Sequence, residues 1–208
     1  MSLNKTTKTN VILHRKYTSC SCGLFVCLPN HCPALFAADW ASYSNNDLFL
    51  APYLGTDSES LDAIFKISDF SHGERLLDIG AGDGRVLIKG INNGAAYVEG
   101  WEVQKEVYKL ALSHLKSSLS ASDLVKCNLI NSDAKYAKFD DFDVIFLYLL
   151  PSGLKLIKPY LDTIKVKTKS SKIRIITQGW PIDEWKFTST YTSTGGSVLF
   201  RYDIINTS

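Results

Sequence analysis

Long apolar runs are missing from the 208 residues. No stretch reaches the roughly 20 residues that cross a bilayer, so the chain is expected to lack a span and only peripheral membrane contact is left open. A dominant charge is missing as well. Lys and Arg total 23 against 21 Asp and Glu, a net charge of +2, which is no electrostatic footprint for a nucleic acid. Acids are absent before Asp39, where Lys5, Lys8, Arg15 and Lys16 stand, so the small basic excess belongs to the leader. One local exception is Lys165, Lys167, Lys169, Lys172 and Arg174, which reads as solvated loop charge ahead of a strand. Cysteine is scarce at five residues, and Cys20, Cys22, Cys27 and Cys32 crowd into the leader beside His14 and His31. Structural zinc sites pair one C-x2-4-C knuckle with a second. Cys20-Ser21-Cys22 is too tight and no second knuckle follows, so neither a metal site nor a disulfide framework is expected. There is no internal repeat and no sign of a second folded domain.

Residues 1–45 differ in kind from the rest. They are acid-poor, rich in Ser, Thr and basic residues, and without clear periodicity, which is the composition of a mitochondrial transit peptide. Against this, Arg15 is the leader's one arginine and Pro29 and Pro33 interrupt any long helix; a disordered tail in a cytoplasmic protein is the competing reading. Residues 46–208 carry the globular domain.

What is present is concentrated in Leu76-Leu77-Asp78-Ile79-Gly80-Ala81-Gly82-Asp83-Gly84-Arg85. An apolar strand ending in an acid runs into a glycine-dense turn, and Arg85 to Ile91 can start a helix behind it. A dinucleotide fingerprint would read G-x-G-x-x-G and would present pyrophosphate to that helix. Here the spacing is Asp-x-Gly-x-Gly-x-Gly. A carboxylate repels pyrophosphate but attracts the ammonium and sulfonium of S-adenosylmethionine, so Asp78 favours that cofactor over NAD.

Further signals fall in register behind the turn. Ala95 to Glu102 reads as a second strand whose closing acid can accept from ribose hydroxyls. Leu129 to Asp133 reads as a third, with Asp133 placed to accept from an adenine amino group. Phe142 to Leu150 is apolar enough for a central parallel strand buried on both faces. Thr56 and Glu59 have capping-box spacing ahead of a helix with Leu61, Ile64, Phe65 and Ser68 on one stripe. Val103 to Ser117 is helical, with Val107, Leu110, Ala111, His114 and Leu115 at core spacing and His114 as an edge residue rather than a ligand. Ser152 can cap a helix through Leu161 that contains Pro159. Ile173 to Gln178 is a fifth strand, Cys127 a small core residue, and Trp185 to Thr190 with Ser197 to Ile205 a closing hairpin around Gly195-Gly196. The fold class predicted is α/β: a Rossmann-like, seven-stranded, mostly parallel sheet with a C-terminal antiparallel hairpin and helices on both faces.

Residues 48–205 resemble the class I S-adenosylmethionine-dependent methyltransferases, and more narrowly the small mitochondrial and bacterial protein-lysine methyltransferases that act on the ATP synthase c subunit and the adenine nucleotide translocase. Three segments carry the resemblance: Ala51-Pro52-Tyr53-Leu54-Gly55-Thr56, the loop Asp78 to Arg85, and Leu147-Tyr148-Leu149-Leu150-Pro151-Ser152. Gly55 departs from the proline frequent there. The resemblance implies a cofactor set of Thr56, Asp78, Gly80, Ala81, Gly82, Gly84, Glu102 and Asp133, and a protein lysine as acceptor.

A lysine with pKa near 10.4 must lose its proton before it can accept a methyl group. An apolar, aromatic channel favours the neutral amine, and Tyr53, Tyr148, Leu149, Pro151 and Trp180 are its candidate lining. Methyltransferases of planar amide or adenine nitrogens carry [DN]-P-P-[YF] where this chain has Leu149-Leu150-Pro151-Ser152, which argues against DNA. A small-molecule or RNA methyltransferase and a non-catalytic binding module are the alternatives. Nothing in the chain sets an oligomeric state.

Overall fold

The computed structural model describes residues 55–166 and 172–205. The leader with its cysteines, Tyr53, Lys167 and Lys169 lie outside them. Seven strands form one sheet in the order β3-β2-β1-β4-β5-β7-β6. They are β1 Arg75–Ile79, β2 Tyr97–Trp101, β3 Cys127–Ile130, β4 Val144–Leu147, β5 Lys172–Gln178, β6 Ser189–Thr192 and β7 Val198–Ile205. The first five run parallel, and β7 inserts antiparallel between β5 and β6. The helices are α1 Ser58–Ile67, α2 Arg85–Asn92, α3 Lys105–Ser118, α4 Ala121–Leu124 and α5 Pro151–Leu161. The predicted architecture is the one observed.

Strand alternation decides which side chain meets which helix. Leu76, Val144, Phe146 and Ile176 point to the face covered by Ile64 and Phe65 of α1, Val86, Leu87 and Ile91 of α2, and Leu115 of α3. Leu77, Ile79, Ile145, Leu147, Ile173 and Ile175 point the other way, against Leu154, Ile157 and Leu161 of α5. All four residues of β4 are buried because both faces are covered. Asp78 falls on the first of these faces by the same alternation, in register with Gly100 and Phe146.

Several boundaries differ from the sequence reading, each for a tertiary reason. The capping box does not form: Asp57 caps α1, accepting from the Ser60 amide at 2.8 Å and its hydroxyl at 2.6 Å. Thr56 instead donates to Gln178 at 3.3 Å, and Glu59 accepts from the Thr194 amide at 2.6 Å. Pro151, not a serine cap, opens α5, which suits a residue without an amide hydrogen. The third strand closes at Ile130, leaving Asp133 to cap a short 3-10 turn, Ala134–Tyr136. The sixth strand begins only at Ser189; Trp185 before it packs edge-on against Tyr202 and donates to Asp162 at 2.8 Å. Leu110 is exposed on α3 rather than in the core. Arg174 does not belong to a solvated basic patch, being 3% exposed and paired with Glu74. Cys127 is partly buried in β3, and burial pushes its thiol up to about 11. Among the described residues no helix is long and apolar enough to cross a membrane.

Candidate functional site

The strand order reverses between β1 and β4, and parallel sheets open a crevice outside the carboxyl ends at such a point. A cleft of about 700 Å³, part of it open to solvent, lies there. Its lining brings together Thr56, Asp78, Gly80, Ala81, Gly82, Glu102, Asp133, Tyr148 and Leu149, residues of the sequence-derived set.

The glycine turn after β1 has φ of 77° at Gly80, 55° at Gly82 and 79° at Gly84. Side chains with a Cβ avoid that region, and this is why glycine recurs at alternate positions. The turn's amides are engaged internally. Gly80 and Ala81 both donate to the Trp101 carbonyl at 2.9 Å, Gly82 donates to Glu102 Oε2 at 3.0 Å, and Gly84 to the Ala81 carbonyl at 2.9 Å. A phosphate cradle presents such amides unoccupied, so this turn is not built for one.

Three carboxylates converge behind it. Asp83 is bridged to Arg85, with Nε to Oδ1 at 2.8 Å and Nη2 to Oδ2 at 2.6 Å. Glu102 accepts from the Gly82 and Gln104 amides, the latter at 2.8 Å, yet burial outweighs those bonds and its acid is pushed above the usual range. Asp78 is 2% exposed, and among the described residues no donor reaches its carboxylate. Burial first, then the charges of Glu102 and Asp83, hold its pKa well above the ordinary carboxylate value. A buried acid among acids, with no cation bound to it among the described residues, is neutralised either by taking up a proton or by a cationic ligand.

The outer residues have mixed places. Asp133 accepts from the Lys135 amide at 2.9 Å and pairs with its ammonium at 3.0 Å, at the rim. Leu149 is 3% exposed and lies 3.2 Å from where a Cβ on Gly80 would stand, so it packs on the turn as a floor. Tyr148 is half-buried in the cleft wall; burial, then the Asp57 charge, raise its hydroxyl to about 12. Its hydroxyl has no hydrogen-bond partner among the described residues. Pro151 and Trp180 do not line the cleft: Pro151 is exposed at the start of α5, and Trp180 packs against the α5-side core. His114 donates from Nδ1 to the Asp83 carbonyl at 3.0 Å, since a carbonyl only accepts, and so supports the turn from beneath. Sequence reasoning placed Arg85 at the end of the glycine loop without giving it a role in the site, and it missed Gln178. Their signal, a polar residue directly after the glycine turn and another at a strand end, is too common to stand out.

No protein-family model and no curated protein sequence matches the chain. Solved structures do. An RNA methyltransferase from Salinibacter ruber, in complex with S-adenosyl-L-homocysteine, superposes with a TM-score of 0.64 at 22% identity, over 74% of this chain and 95% of that one. A conserved hypothetical protein of Streptococcus pyogenes gives 0.52 at 14% identity, over 68% and 92%. TrmN from Thermus thermophilus gives 0.52 at 13%, over 70% and 48%. The chain therefore has the Rossmann-like fold of methyltransferases, and the likeness extends to the fold alone.

Proposed function

We propose that the protein is a methyltransferase that takes its methyl group from S-adenosylmethionine. The observation that carries this reading is Asp78, a buried carboxylate facing the cleft with two further acids nearby and no described donor. The residues fit that donor: it brings an ammonium and a sulfonium to a pocket that holds excess negative charge, whereas a dinucleotide would bring phosphate to engaged amides. Asp78 would hold the positive end, Glu102 would accept from the ribose hydroxyls through its free lone pairs, and Asp133 would face the base. Bound there, S-adenosylmethionine would supply an electrophilic methyl group: an acceptor lone pair would attack its carbon in line as the carbon–sulfur bond breaks, and S-adenosyl-L-homocysteine would leave as a neutral thioether. Leu149 excludes water beneath the glycine turn, and Tyr148 holds one wall of the approach. Asp78 would hold the cationic donor more tightly than the product, which lacks the sulfonium charge.

An RNA acceptor is the reading supported by the likeness to the Salinibacter enzyme, with a small-molecule acceptor as the alternative beside it. A protein lysine is the second reading, supported by the segment Tyr148 to Ser152 and by the charge beside the cleft. Arg85 and Lys135 there are bound to Asp83 and Asp133, while Asp57 lies near Tyr148 and presents negative charge, an arrangement that attracts an ammonium more than a phosphate chain.

Binding of S-adenosylmethionine by calorimetry, followed by transfer of labelled methyl to RNA, metabolite and protein fractions, tests both levels. Label in RNA or metabolites alone ends the lysine reading, and label on protein lysines alone ends the other. Binding without transfer to any fraction identifies a non-catalytic module. No binding at all overturns the proposal.

A further inference from the structure

Arg85 stands where the glycine turn, α2 and the segment before α1 meet. Two of its nitrogens form a fork on Asp83, which fixes the plane of the guanidinium. Its Nη1 donates to the backbone carbonyl of Thr56 at 2.7 Å. Gly55 lies against the same group: a Cβ there would come within 2.8 Å of Cζ and Nη2. Thr56 is 5% exposed, and its far side is held by Gln178 at the end of β5, which in turn donates to Ser197 at 3.0 Å. Gly55 and Thr56 line the cleft together with the turn. Their seat is thus set from one side by the β5–β7 region and from the other by Arg85.

We infer that Arg85 is a positioning residue for the methyl donor: by bridging Asp83 of the glycine turn to the Thr56 carbonyl, it seats Gly55-Thr56 as a wall of the cofactor cleft. Glycine at 55 is what admits the guanidinium, which gives a physical account of that residue in a segment where the resembled family often has proline. Lysine cannot replace Arg85, because a single ammonium has no planar fork to face Asp83 while also reaching a carbonyl. The inference rests on the donor reading for what the wall encloses, but not for the bridge itself.

The test combines Arg85→Ala, Arg85→Lys, Gly55→Ala and the double variant Gly55→Ala/Arg85→Ala. In the ligand-free protein, hydrogen exchange of the Arg85 Nε–H is followed by NMR; the bridge slows it relative to free arginine, and Gly55→Ala restores fast exchange by pushing the guanidinium aside. With S-adenosyl-L-homocysteine as probe, each single variant raises the dissociation rate about tenfold or more, as loss of a charge-assisted contact should. The double variant is no worse than Arg85→Ala, since both changes break one contact. Free exchange of the wild-type Nε–H overturns the bridge. A wild-type dissociation rate in Arg85→Ala, with only the melting temperature lowered, reduces Arg85 to a stabilising residue and overturns the positioning role. Full additivity in the double variant does the same. Wild-type protein that binds no S-adenosyl-L-homocysteine sinks the donor reading, while the exchange experiment still decides the bridge.

Discussion

Two ends of one sheet face hold buried charge and handle it in opposite ways. At the amino end of β5, Arg174 donates to the Ser68 and Asp69 carbonyls at 2.9 and 3.1 Å and pairs with Glu74 at 2.5 Å. Arg201 on β7 reaches the Ile67 carbonyl at 2.7 Å and pairs with Asp69 and Asp203. Both arginines meet the C-terminus of α1, where unsatisfied carbonyls and the negative end of the helix dipole call for cations. Of that cluster, only the Arg174 Nε is buried without a partner among the described residues. At the carboxyl end of β1 Asp78 is buried as deeply, and its counter-charge is not found among the described residues. The first cluster closes the fold on itself, and the second leaves a carboxylate without a counter-charge among the described residues, facing an open cleft.

Breaking the self-contained end should have the largest effect. Arg174→Met strands the Glu74 carboxylate and should cost about 3–5 kcal/mol in denaturant unfolding, with affinity for S-adenosylmethionine unchanged in the folded protein. Lost affinity at retained stability would reverse the contrast.

Asp78→Asn should do the opposite. Binding of S-adenosylmethionine weakens by about 1–3 kcal/mol as a charge-assisted contact is lost, while the melting temperature at neutral pH rises. The sign follows from linkage: the folded pKa of Asp78 is raised, so wild-type stability falls as pH climbs from 3.8 through that raised value and stays lower above it. The variant's gain grows over the same window. A melting temperature lowered by Asp78→Asn would mean that the carboxylate has an internal partner after all.

The smallest effect belongs to Asp57, which joins helix capping to the rim of the cleft. Asp57→Ala should cost about 1 kcal/mol, the ordinary value of an N-cap. Burial raises the Asp57 pKa, but its bonds to the Ser60 hydroxyl and amide outweigh this and hold it below 3.8. Its contribution is therefore present above pH 3.8 and fades as pH falls through the folded value. Thermal melts of wild type and variant should differ at pH 7 and converge in acid; a constant gap would assign the cap to packing rather than charge.

The legible parts were those whose causes are local. Apolar β1, the three alternating glycines and the acid closing β2 each have a near-neighbour reason, and they lie where the sequence placed them. The start of α1 was misread because Thr56 and Glu59, spaced as a capping box, take partners 122 and 135 residues away. Arg174 read as loop charge for the same reason, since the pairing with Glu74 that buries it spans 100 residues. Trp180 looked like channel lining at a strand end, yet it packs against the core on the α5 side.

By itself the sequence determined the order of strands and helices, the parallel core and the acid-then-glycine turn, because periodicity, positive φ and burial pattern act over a few residues. Which charges are matched within the chain was decided only in three dimensions. Arg174 finds Glu74 and Arg85 reaches the Thr56 carbonyl, while Asp78 finds no described donor, and contacts of that kind depend on which elements the fold brings side by side.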